Sequence, residues 1–138
     1  MSRTLSVAAL ASMALAACNN SSGQEASANL QQIKVTSDEQ RQLHQLDAFN
    51  LAIALKRAIY DAGYTCKNVT DAGFVATYEN LDMWTAHCVY DANRTRDWAV
   101  FAGPDGSAQV RDCKDVKATG LPECAIKQRP KGSFSSMK

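Results

Sequence analysis

The sequence predicts an α+β domain in which one long amphipathic helix packs on a small antiparallel meander of three to four strands, with disulfides linking the parts. Apolar residues recur every three or four positions from Leu43 to Ala62, and the pattern turns to alternation after Gly63. Four cysteines, Cys66, Cys88, Cys113 and Cys124, fall in or just after the alternating part.

The chain opens on a short basic start, Met1-Ser2-Arg3-Thr4, followed by thirteen uncharged residues, apolar or small, from Leu5 to Ala17. That run is too short to cross a bilayer as a helix, which takes roughly 20 residues, and has the length of an export signal's apolar region. It ends in Leu15-Ala16-Ala17-Cys18, which resembles the bacterial lipobox, with leucine three residues before the cysteine. The resemblance implies a diacylglyceryl group on the Cys18 thiol, cleavage between Ala17 and Cys18, and acylation of the new amino group. Residues 1–17 are then a lipoprotein signal peptide, and the mature chain meets the membrane through the lipid on Cys18. Asn19, where an aspartate would resemble an inner-membrane retention signal, points to the outer membrane facing the periplasm.

The alternative is an ordinary secretory signal cut after Ala17, which leaves Cys18 a free thiol. Parity favours the lipid. Five cysteines leave one over in an oxidising compartment, whereas removing Cys18 leaves four that can pair completely.

Residues 18–30, rich in Asn, Ser, Gly, Gln and Ala, read as a flexible tether. The span 31–126 is left for a single α+β domain, enough for one modest core that gains from cross-links. At its start Thr36 and Glu39, or Ser37 and Gln40 one residue on, are spaced as a capping box that satisfies amides at a helix start. Leu43, Leu46, Phe49 and Ile53 follow on one stripe, widened by Leu51, Leu55, Ala58, Ile59 and Ala62, and Gly63 stands as the C-terminal cap. The reading is one long helix, with its polar start the place for a bend or break.

Four strands follow. They are read near Tyr64 to Val69, continuing irregularly through Phe74 to Tyr78, then Met83 to Asp91, Asp97 to Ala102, and Ala108 to Cys113. Gly103-Pro104-Asp105-Gly106 makes a hairpin, because proline presets the first turn dihedral and the final glycine accepts a positive one. Asn93 to Arg96 is a looser polar turn. Trp84, Ala86, Cys88 and Tyr90 share the core-facing side of their strand, while Met83, Thr85, His87 and Val89 share a mixed side. This order over residues 45–113 is similar to PepSY-type and small outer-membrane assembly lipoprotein domains, in layout only, so no functional positions carry over.

The four domain cysteines allow three pairings. Cys66 with Cys88 and Cys113 with Cys124 are favoured, the first linking two strands and the second tying the C-terminal excursion to the sheet. Each contributes on the order of 3 kcal/mol in the chain-entropy model. No pair has the spacing of zinc ligands, there is no Cys-x-x-Cys and no phosphate-binding glycine pattern, so neither metal nor cofactor is expected.

His44 and His87 have no adjacent nucleophile and read as structural. Glu79, Asp82 and Asp91 are the acids that could form a carboxylate pair for glycan hydrolysis, though Glu79 and Asp82 sit where a turn is expected. Residues 127–138 carry four basic side chains among Gly, Ser and Pro and read as a basic flexible tail.

The chain without residues 1–17 has 14 basic and 14 acidic residues, with 8 and 12 up to Cys113 and 6 and 2 beyond it. Such balance disfavours nucleic acid, whose binding draws on phosphate neutralisation, and leaves the basic end able to touch an anionic envelope polymer. The expected function is a membrane-anchored envelope lipoprotein with a non-enzymatic domain that binds another envelope protein or such a polymer. An exposed apolar patch on the sheet face away from the helix would support it. The alternative is a small hydrolase of cell-wall glycan or peptide, which requires a concave site with converging polar groups.

Overall fold

The computed structural model describes residues 36–134. The signal peptide, Cys18 and the tether lie outside the described residues, as do the last four residues of the tail.

The predicted single helix is two. Helix α1 (Asp38–Gln45) starts at Ser37, whose side chain accepts from the Gln40 amide while the Gln40 side chain accepts from the Ser37 amide, so the second of the two candidate capping boxes forms. It stops at Leu46, which is extended (φ −65°, ψ 142°). Asp47 is the cause of the restart. Its carboxylate accepts from the Asn50 amide at 2.8 Å and opens α2 (Ala48–Asp61), so one apolar stripe is cut by an internal N-cap. The α2 helix buries Ala48, Leu51, Ala52, Leu55 and Ile59. Gly63, at φ 84°, reverses the chain after it.

Residues 64–67 form a connection rather than the start of a strand. Strand β1 (Asn68–Tyr78) is bulged at two places, which accounts for the irregular alternation read there. Strands β2 (Leu81–Asp91), β3 (Arg94–Ala102) and β4 (Ala108–Asp112) complete a four-stranded antiparallel meander in the order β1-β2-β3-β4. The polar turn before β3 is tighter than predicted, since Asp91 already pairs with Arg94. In the β3–β4 hairpin the Gly106 amide donates to the Gly103 carbonyl at 3.2 Å. The Ser107 hydroxyl and amide donate to Asp105, which lowers that carboxyl below its ordinary value.

Both faces of the sheet are covered. On the front, α2 packs on Val69, Ala72, Trp84, Ala86, Trp98, Val100 and Ala102. Each fully buried leucine or isoleucine there contributes about 1.5–3 kcal/mol of transfer energy. On the back, Val75, Met83, Ala99 and Phe101 meet Val116, with Leu121 and Cys124 packed around them. The cover is the C-terminal segment, which leaves β4 through a short helix α3 (Cys113–Val116) capped by Asp112 and a single 3-10 turn (Lys117–Thr119).

That segment then crosses to the far edge of the sheet. A side chain on Gly73 would lie 2.4 Å from Ile126 Cγ2 and 2.5 Å from the Gln128 carbonyl oxygen, so glycine is what lets it approach. Phe74 and Gln128 form an isolated bridge, Arg129 reaches Asp71 at 2.7 Å, and the Ala48 amide donates to the Lys131 carbonyl at 2.8 Å. Phe134 packs on the front core. The tail expected to be free from Lys127 is therefore fixed through Lys131, strapped round the β1 edge from the back face to the front. This also covers part of an edge that would otherwise offer unpaired backbone groups.

The disulfides are Cys66–Cys88 (Cα–Cα 5.5 Å) and Cys113–Cys124 (5.9 Å), the pairings favoured above. The first fixes the connection after α2 to β2, and the second closes the base of the strap.

Candidate functional site

Of the surface hollows among the described residues, a larger and more polar one, about 460 Å³, lies beside Tyr64, Arg96, Trp98 and Asp112; the most apolar is a groove between the helix pair and the β3–β4 hairpin. Leu43 and Leu46 of the α1 end, Ala54, Leu55 and Ala58 of α2, and Val100 and Ala102 of β3 make its walls, with Gly103 and Gly106–Ala108 at one end. Its volume is about 330 Å³, at the small end of the range for small-molecule sites. Glu39 and Gln42 provide a polar rim on one side. Small residues create the space: Ala54 and Ala58 lie one turn apart on α2, facing the sheet edge where larger side chains would fill the gap.

A polar bolt holds α1 in place beside the groove. Gln40, 2% exposed, donates from Nε2 to the carbonyls of Asn80 at 2.9 Å and Ala102 at 3.1 Å. One turn on, His44 Nε2 lies 2.9 Å from Asp82 Oδ2, and the Thr77 hydroxyl donates to Asp82 Oδ1 at 2.9 Å. The His44 ring packs on Phe74 and Trp84, with centroids 4.7 and 4.8 Å away. These bonds tie α1 to the β1–β2 hairpin and, through Ala102, to the end of β3, and they satisfy the Asp82 carboxylate, which is only 3% exposed.

Sequence reasoning named some of these residues and missed their connection. In the sequence His44 and Asp82 stand apart and Gln40 has the spacing of a cap alone; residues 38 positions apart carry no local signal of contact. The carboxylates considered for hydrolysis are not brought together. Asp82 is buried, Glu79 is exposed in the turn at φ 54°, and Asp91 pairs with Arg94 at 3.4 Å at the other end of β2. Asp82 and Asp91 lie nine residue steps apart along β2, about 30 Å, against the roughly 5–9.5 Å of a glycosidase pair. The space beside His44 is about 20 Å³, too small for a substrate group. His87 hydrogen-bonds Asp97 on the other side of β2.

The apolar patch expected on the back of the sheet lies under the strap. Among the described residues, the large exposed apolar side chains are Phe49, Ile53, Tyr60 and Tyr64, in and just after α2. Also among them, no three His, Cys, Asp or Glu side chains are grouped to hold a metal ion, and no helix is long and apolar enough to cross a membrane.

No family model, no curated protein and no solved structure matches this chain.

Proposed function

We propose that the chain is a lipid-anchored lipoprotein of the bacterial envelope whose domain is a non-enzymatic binding module. The observation that carries the anchor is the cysteine count. Cys66, Cys88, Cys113 and Cys124 are used up in two disulfides, leaving Cys18 as the unpaired cysteine, at the position where the lipobox-like motif asks for a lipid. Disulfides themselves support an oxidising compartment such as the periplasm.

Binding rather than catalysis is supported by the groove, which is concave, predominantly apolar and lacks a converging pair of titratable groups among its lining residues. Its ligand is an apolar segment or side chain of an envelope partner, bound in an accessory, inhibitory or assembly role.

Intact mass of the membrane fraction from a native-like host tests the proposal, with wild type compared against Cys18→Ala before and after reduction. The expected result is a chain starting at Cys18 with acyl mass, and a gain of four protons on reduction. An unlipidated wild type would remove the anchor. A photoreactive side chain at Ala54 in the same cells should cross-link a partner, and hydrolysis of cell-wall material by the purified chain would instead favour the enzyme.

A further inference from the structure

Phe49, Ile53 and Tyr60 take no part in the core or the groove, and each is 49% exposed. On α2 these positions fall within about 40° of one another, so they form one stripe along the helix. Its rim is basic. Lys56 Nζ lies 5.9 Å from the Tyr60 ring centroid and donates to the Lys67 carbonyl at 2.7 Å, which places a second lysine beside the first. At the other end, the Ala48–Lys131 backbone bond of 2.8 Å puts a third lysine next to the start of the stripe. The neighbouring acids are engaged: Asp71 with Arg129 at 2.7 Å, Asp61 with Arg57 at 4.0 Å, and Asp47 with the Asn50 amide at 2.8 Å.

We propose that this face of α2 rests on the anionic membrane surface to which the chain is tethered; the inference builds on the lipid at Cys18. Phenylalanine and isoleucine enter the boundary between headgroups and acyl chains, tyrosine keeps its hydroxyl at the headgroup level, and lysine stems extend toward lipid phosphates. Seventeen residues separate Cys18 from the described domain and the connection spans at most about 60 Å, so α2 is within reach of the bilayer that holds the lipid. A second copy fits the face less well. Three half-exposed side chains offer roughly 300 Å², far under the roughly 800 Å² per partner of a stable interface. Two such faces would also bring like-charged rims together.

The test uses the chain from Cys18 onward, coupled through that cysteine to a maleimide lipid in vesicles, so that it does not depend on acylation in the cell. Phe49→Trp and, in a second protein, Ile53→Trp report contact with brominated acyl chains; Trp84 and Trp98 are buried and give a constant background. Asn50→Trp, on another side of the helix, is the control. On vesicles rich in phosphatidylglycerol the two stripe reporters should be quenched about twofold, less on phosphatidylcholine or in high salt, and less after Lys56→Glu with Lys67→Glu. Equal quenching at positions 49, 53 and 50, or none at any, overturns the proposal, as do dimer cross-links at Ile53 with no quenching. An unlipidated chain in the mass experiment would instead strike the anchor, leaving the result on coupled vesicles to stand by itself.

Discussion

The two faces of the sheet are closed by different means. The front is covered by a regular helix whose apolar residues recur with its own turn, and the cluster beneath it holds both tryptophans and reaches all four strands. The back is covered by a segment with one turn of α-helix and one 3-10 turn, lying on four core side chains of the sheet and depending on a disulfide at its base. Periodic burial closes the first; covalent closure and a few backbone contacts close the second. Local packing density therefore predicts that the back cover opens more readily than the front.

The largest test of this difference is to remove each disulfide in turn. The loops span 22 and 11 residues, and the chain-entropy model assigns about 3 kcal/mol to each, slightly more to the longer. Equal cost should not mean equal consequence. Cys66→Ser with Cys88→Ser leaves two buried polar groups in the front core, so the whole domain should lose stability in one transition. Cys113→Ser with Cys124→Ser frees the base of the strap, so trypsin should cut at Lys114 and Lys117 under conditions where α2 and the sheet still resist. Identical protease maps for the two double variants would erase the distinction.

Gly73→Ala sharpens the same contrast at one atom. The added methyl meets Ile126 and the Gln128 carbonyl, and only a shift of the strap relieves the contact, at a cost of about 1–3 kcal/mol. Amide exchange should quicken at Gln128, whose N–H donates to the Phe74 carbonyl at 3.1 Å, and stay slow within α2. A loss of stability spread evenly over both faces would show that the strap and the front core act as one unit.

What could be read from the sequence follows the same division. Helical spacing, alternation and the Gly103–Gly106 turn were enough for the α+β class, the meander and its four strands, because these signals are local. The break between α1 and α2 was legible in principle, since Asp47 and Asn50 are spaced as an N-cap and the amide three residues on that it accepts from, but the continuous stripe from Leu43 to Ile59 concealed it. The strap was not legible: Ile126, Gln128 and Lys131 act through contacts with residues more than fifty positions away, and their segment has the composition of a loose end. The groove was hidden for a related reason. It is made by the smallness of Ala54, Ala58 and Ala102, and a missing side chain leaves no pattern until the opposite wall is known.

The smallest expected effect concerns a single hydroxyl on the back face. Thr85 is 4% exposed, and its Oγ1 has no hydrogen-bond partner within the described residues, beside apolar Met83 and Phe101 on the same side of the sheet. A buried hydroxyl without a partner costs on the order of 1 kcal/mol, so Thr85→Val should raise the unfolding free energy by about that amount, read from denaturant melts, while leaving the front untouched. The direction matters more than the size. If the strap opens in brief excursions that let water reach Thr85, the hydroxyl favours the open form, and Thr85→Val should slow tryptic cutting at Lys117 as well as raise stability. A destabilised Thr85→Val chain would mean that the back face closes around a bonded polar group, and so is held as specifically as the front.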